Sequence, residues 1–211
     1  MRTLIRLSLI PMVGIAAQMA HAAINYDVLQ ATISYNNGDS QSLTPVINGD
    51  NISFTNNNAM TVGNGGAAGH NAAVITIIYT ATSDTGINGL NLDFSGMATN
   101  MGQVSFSELV ENWSPTSGAG SILASTSGSF SGSGFNGGSD NAFNSHTPMT
   151  FNAPVFSYKV KKTFTLLDFD STPGNSSASI TSINQAPVPE PASMTALAIG
   201  GLGLLARKRR K

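Results

Sequence analysis

Apolar side chains alternate with polar ones through several stretches of this chain, at the two-residue period of a half-buried β-strand. Ile24, Tyr26 and Val28 do so within residues 23–35, and residues 51–55 make a short second candidate. Val74-Ile75-Thr76-Ile77-Ile78-Tyr79-Thr80 is β-branched or aromatic on both faces, which predicts a buried strand over 73–82. Ile87, Leu90, Leu92 and Phe94 place another over 87–94. Phe156, Tyr158 and Val160 share one face and Lys159 and Lys161 the other, so this strand has one solvated side. Residues 164–169 and 177–183 complete the set. Asn37-Gly38, Asn48-Gly49, Asn64-Gly65, Asn88-Gly89, Asn136-Gly137 and Ser171-Thr172-Pro173-Gly174 are turn signals. Many short strands with such punctuation predict an all-β domain, an antiparallel β-sandwich or jelly-roll-like fold, over residues 23–183.

Two stretches break the alternation. Phe106, Leu109, Val110 and Trp113 follow helical i, i+3, i+4, i+7 spacing, and a short helix fits them as well as an irregular edge strand. From about residue 114 to 150 the chain is mostly Gly, Ser, Asn and Thr, which predicts long mobile loops. Residues 184–191 read as a linker that exposes Pro189-Glu190-Pro191.

Different patterns occupy the two ends. Arg2 and Arg6 precede an apolar segment from Leu7 to Ala17, followed by Ala20-His21-Ala22. That order predicts a secretory signal peptide over 1–22, with Ala20 and Ala22 marking the cleavage site before Ala23. Near the other end, residues 192–206 form an apolar run that would span about 22 Å as a helix. A bilayer core takes about 20 residues, so thinning or snorkelling would accommodate this transmembrane helix. Arg207, Lys208, Arg209, Arg210 and Lys211 follow it as a basic cytoplasmic tail, on the side the positive-inside rule expects.

Pro189-Glu190-Pro191-Ala192-Ser193, the glycine-bearing apolar run and the cluster Arg207 to Lys211 together resemble the sorting domain of PEP-CTERM proteins of Gram-negative bacteria. The resemblance covers about the last 24 residues. It implies that Pro189, Glu190 and Pro191 are recognition residues for an exosortase-like processing enzyme. It also implies export through the inner membrane by the Sec translocon, cleavage by signal peptidase and a transient membrane anchor. Release to the cell surface or the extracellular space would follow, and the resemblance implies the exopolysaccharide of a biofilm matrix as a partner there.

Charge sharpens this picture. The chain's formal net charge is −1, but seven of its ten basic residues lie in the two end signals. Between Ala23 and Pro189 only Lys159, Lys161 and Lys162 face ten carboxylates. Such a body has no cation cluster for nucleic acid. The chain has no cysteine, which excludes thiol catalysis, disulfides and thiolate metal sites.

No catalytic, cofactor-binding or metal site is predicted. Gly128-Ser129-Phe130-Ser131-Gly132 lacks the order of a nucleophile elbow. His70 and His146 read as surface histidines in loops. Asp168 and Asp170 share a strand face without establishing opposed carboxylates. Asp84-Thr85-Gly86-Ile87-Asn88-Gly89, with Asp93 nearby, offers oxygen ligands but falls short of a calcium loop and reads as turn capping. Trp113 reads as a packing residue. The expected function is that of an exported, non-enzymatic envelope or matrix protein. A carbohydrate-binding module using Trp113, Tyr79 or Tyr158 is the alternative, and a secreted hydrolase is the second alternative.

Overall fold

A computed structural model describes residues 23–55, 60–63, 70–135, 137–170 and 175–190. The expected signal peptide with Ala20 and Ala22, Pro191, the apolar run 192–206 and the cluster Arg207, Lys208, Arg209, Arg210, Lys211 lie outside the described residues, as do the turn signals at Asn64-Gly65, Asn136 and 171–174. The described chain is all-β and antiparallel. Its strands are β1 (Ile24–Tyr35), β2 (Ser40–Ser42), β3 (Thr44–Asn48), β4 (Asn51–Thr55), β5 (Met60–Gly63), β6 (Ala72–Thr99), β7 (Gly102–Ser114), β8 (Gly118–Ser131), β9 (Ala142–Asp168) and β10 (Ser177–Pro189).

Two long strands create the architecture. β6 and β9 run antiparallel over 28 and 27 residues, and each runs through both layers of one continuous ten-stranded sheet. The first half of β6 pairs with β1 and with the end of β9, which in turn pairs with β7, and β7 with β8. The second half of β6 pairs with the start of β9 and with β10, and β10 with β4 and β5. The register slips between Thr82 and Ile87 and again before Gly89, where both strands pass from one layer to the other. A Cβ at Gly89 would sit 2.2 Å from the Met149 carbonyl oxygen, so only glycine lets the strands close there. Asn88-Gly89, expected as a hairpin turn, is therefore a kink within one strand. The turns expected at Asn37-Gly38 and Asn48-Gly49 do join β1 to β2 and β3 to β4.

The inner faces of the two layers pack as a sandwich. Phe94, on the β10 side, is 2% exposed and meets Phe106, Phe130, Phe143 and Phe164 at ring-centroid distances of 4.7, 5.9, 6.0 and 5.1 Å. Ile75, Ile77, Tyr79, Val104, Val110, Tyr158 and Val160 of one layer are buried with Leu90, Leu92, Ile180 and Ile183 of the other.

Three expectations are corrected. Residues 105–113 form neither a helix nor an edge, because β7 lies between β8 and β9. Val104, Phe106, Glu108 and Val110 all point inward, and the carboxylate among them disguised the alternation. The polar stretch from 114 onward contains β8 and the first part of β9 in place of long loops. Its small residues are held by pairing, with Ser125, Ser127 and Ser129 of β8 opposite Leu109, Ser107 and Ser105 of β7. Residues 184–189 are the end of β10, paired to β6, and do not form a linker.

The turn after β8 is pinned by Asp140. Its carboxylate accepts bonds from the Ser133 backbone N–H at 2.8 Å, the Ser133 hydroxyl at 2.6 Å and the Asn100 N–H. The Ser133 hydroxyl, then the two N–H donors, hold the Asp140 carboxyl below its ordinary value of 3.8. A depressed folded-state pKa stabilises the turn above the unfolded value and loses that contribution as pH falls through the folded one. We expect amide exchange at Ser133 and Asn100, taken relative to the intrinsic rate at each pH, to stay slow through mildly acid solution and to accelerate only below about pH 4. Asp140→Asn should accelerate it at neutral pH. For the core, Phe94→Ala should cost about 3–5 kcal/mol in denaturant unfolding, because four rings lose their common partner.

Candidate functional site

The corner where β6 changes layer gathers both ends of the described body. The Ala23 backbone N donates to Asp84 Oδ1 at 2.9 Å, and the Asp84 N–H returns a bond to the Ala23 carbonyl at 3.4 Å. Ala23 is the residue that the predicted signal cleavage makes the amino terminus. Two residues along the corner, the Gly86 carbonyl accepts the Glu190 N–H at 3.0 Å. A Cβ on Gly86 would lie 2.5 Å from Glu190 Oε1, so the glutamate side chain lies directly over this glycine.

Pro187, Val188 and Pro189 are still part of β10 and face Leu90, Gly89 and Ile87 of β6. The opposite edge of β10 pairs with β4 only as far as Gln185. Prolines fit this stretch because neither needs a ladder donor on an uncovered edge. Pro189 and Glu190 are exposed at the corner, and the chain leads from them directly into Pro191. The sequence reading placed Asp84-Thr85-Gly86 as a capped turn. The structure instead places them inside β6, at the layer change, where Asp84 holds Ala23 and Gly86 holds Glu190.

The remaining candidates do not converge. His146 is exposed on β9, and its Nδ1 lies 2.6 Å from Asp93 Oδ1 across the β6–β9 ladder. His70 is corrected from a surface residue to a buried one, 6% exposed, with its ring stacked on Tyr35 at 4.4 Å. The two histidines thus serve different partners. Asp168 ends β9 and accepts bonds from the Asp170 N–H at 2.9 Å and from the Ser176 hydroxyl, so it caps a turn. Asp170 lies beyond the strand. Among the described residues no group of three His, Cys, Asp or Glu side chains could hold a metal ion. No described helix is long and apolar enough to cross a membrane.

Of the three aromatics considered for sugar stacking, Tyr79 and Tyr158 are fully buried. Burial pushes both phenols well above 10. Trp113 is half-buried near the end of β7, with Lys159 Nζ 5.7 Å from its ring centroid. One polar cluster escaped the sequence reading entirely. Lys162 is buried in the core, with Nζ 2.7 Å from Glu108 Oε1 and hydrogen-bonded to Gln185 Oε1. Its only sequence signal was parity, since Lys162 shares a strand face with Val160 and Phe164.

The Ala23–Asp84 contact is exposed and should be weak. Asp84→Ala should cost under about 1 kcal/mol in global stability, yet speed amide exchange at the start of β1 in the processed chain. Unchanged exchange at Ile24 and Asn25 would show that the corner does not hold the amino terminus.

Comparison with known proteins bears on the tail and not on the body. No curated protein sequence matches the chain. Among solved structures, the enzymatically active domain of bacteriophage CBA120 tailspike protein 4 aligns with TM-score 0.35 and 10% identity, over 80% of this chain and 20% of that one. This chain thus spans a fifth of the tailspike domain. TmCBM61 in complex with β-1,4-galactotriose aligns with TM-score 0.31 and 8% identity, over 79% and 90%. A mutant of the family 29 carbohydrate-binding module CBM29-2 aligns with TM-score 0.23 and 14% identity, over 77% and 91%. Likeness at these scores carries no argument for ligand or activity. Residues 187–211 match the family model of the PEP-CTERM protein-sorting motif, so the chain carries that motif, beginning inside its last strand.

Proposed function

We propose that this chain is an exported, non-enzymatic envelope or matrix protein, delivered by its C-terminal signal to an exosortase-like processing enzyme. The observation that carries this reading is the sorting motif at 187–211, continuous with β10. In this reading Pro189, Glu190 and Pro191 are recognised, residues 192–206 hold the chain in the inner membrane, and Arg207 to Lys211 anchor the cytoplasmic end. Processing then frees the β-domain to the cell surface or the extracellular space.

The corner suits such a substrate. Glu190 is presented on the outside of a folded domain, held by one backbone bond to Gly86. An enzyme that grips the motif must break few contacts to lift residues 187–190 from the uncovered edge. The body's role is to persist outside the cell, within exopolysaccharide, and its Ser- and Thr-rich, net acidic outer surface suits a hydrated matrix.

Replacing Pro189, Glu190 and Pro191 together by alanine should leave the fold intact and block processing. In the native host the variant should keep the mass of residues 192–211 and stay with the membrane fraction, while the unaltered protein loses that mass and leaves it. Identical mass and location for both would defeat the sorting reading.

A further inference from the structure

We propose that Lys162 and Gln185 become joined by an intramolecular isopeptide bond, formed by the folded chain itself with Glu108 as the proton-transfer group. Lys162 lies on β9, Glu108 directly opposite it on β7, and Gln185 on β10 in the other layer. All three are sealed from solvent, at 0, 2 and 1% exposure. The Lys162 amine contacts both partners at once, Glu108 Oε1 at 2.7 Å and the carboxamide oxygen of Gln185. An amine in contact with that oxygen stands beside the carbonyl carbon, one bond length of about 1.23 Å further in.

Two unpartnered atoms argue that this is more than a structural ion pair. Gln185 Nε2 and Glu108 Oε2 are buried, and neither has a hydrogen-bond partner. Orphaned polar atoms in a closed core are costly. The reaction disposes of the first and uses the second. Nζ attacks Cδ of Gln185, and the tetrahedral centre collapses with cleavage of the Cδ–Nε2 bond. Glu108 takes a proton from Nζ and passes one to Nε2, which departs as ammonia. A primary amine and a primary carboxamide thus give a secondary amide and ammonia, with no oxidant or cofactor.

The surroundings favour this step. Burial lowers the Lys162 pKa, opposed in part by Glu108, which moves the pair toward the neutral amine that a nucleophile needs. Tyr79 and Tyr158 are fully buried beside the cluster and help keep out water that would compete for the carbonyl. Strand pairing fixes the reactants in place, which raises their effective concentration. The product replaces a buried charge pair by an amide, and ties the two layers together in a chain that has no cysteine.

Mass spectrometry of the folded full chain, produced without the processing enzyme, decides the matter. Between Lys162 and Arg207 there is no other trypsin site. A bonded chain should therefore resist cleavage after Lys162 and give the peptide 162–207, lighter by one ammonia, about 17 Da. Chymotrypsin should then cut inside that peptide without separating the piece bearing Lys162 from the piece bearing Gln185. This joint cleavage separates the bond from ammonia loss at Asn175 or Asn184, which links nothing. Glu108→Gln should restore cleavage at Lys162 and full mass in whatever variant protein folds, its melting temperature falling through both the opened loop and the lost buried partner. Normal cleavage after Lys162 in the unaltered folded protein, with Gln185 intact, overturns the proposal.

Discussion

A lysine that water does not reach organises this sandwich. Lys162 projects from β9 into the space between the layers, and an unpaired cation there would be too costly for the fold to survive. Its needs dictate the neighbours. β7 must present Glu108 directly across the ladder, and β10 must approach from the other layer with Gln185. Removing one partner of such a pair typically costs about 3–5 kcal/mol, a large share of a domain's net stability. Hydrophobic contacts are non-directional and would tolerate several offsets between the layers. The amine with its two partners tolerates one.

The aromatic cluster works beside this constraint. Phe94 brings the second half of β6 against Phe106 of β7 and Phe164 of β9, while Phe130 and Phe143 stack at 4.1 Å across the open side of the sandwich. These rings supply area and the polar bridge supplies register. Both depend on the corner in β6 and β9, since strands that run through both layers place Tyr79 in one and Phe94 in the other. The same corner receives Ala23 and Glu190, so the element that folds the sheet over also sets where the chain enters and leaves.

Alternation in the sequence was a good guide wherever the inward residues were all apolar. The expected strands at 51–55, 73–82, 87–94, 156–160 and 177–183 all lie within strands of the structure. It failed where polar residues point inward or apolar ones are scarce. Glu108 broke the pattern of β7, and the Ser/Gly run hid β8, whose stability comes from pairing with β7 more than from its own side chains. Length was also hidden, because the kink in β6 at Asn88-Gly89 reads as a turn and the first part of β9 falls in the polar stretch that reads as loop. The sorting motif was legible for the opposite reason: recognition by another protein is written in contiguous residues, and it needs no tertiary contact to be read. The corner that presents it depends on contacts 61 residues apart, between Ala23 and Asp84, which no local pattern records.

The absence of a linker has a mechanical consequence. A flexible approach would isolate the body from events at the membrane. Here Pro189 belongs to a strand held along one side by β6, and that strand also carries Gln185 into the core four residues earlier. Force on the tail first meets the short uncovered edge at 187–190 and can peel it residue by residue. Peeling then meets Gln185, where β10 is covered on both sides and hydrogen-bonded to Lys162 across the layers. The polar bridge therefore divides the end of the chain into a part that an enzyme can lift and a part that stays folded when it does.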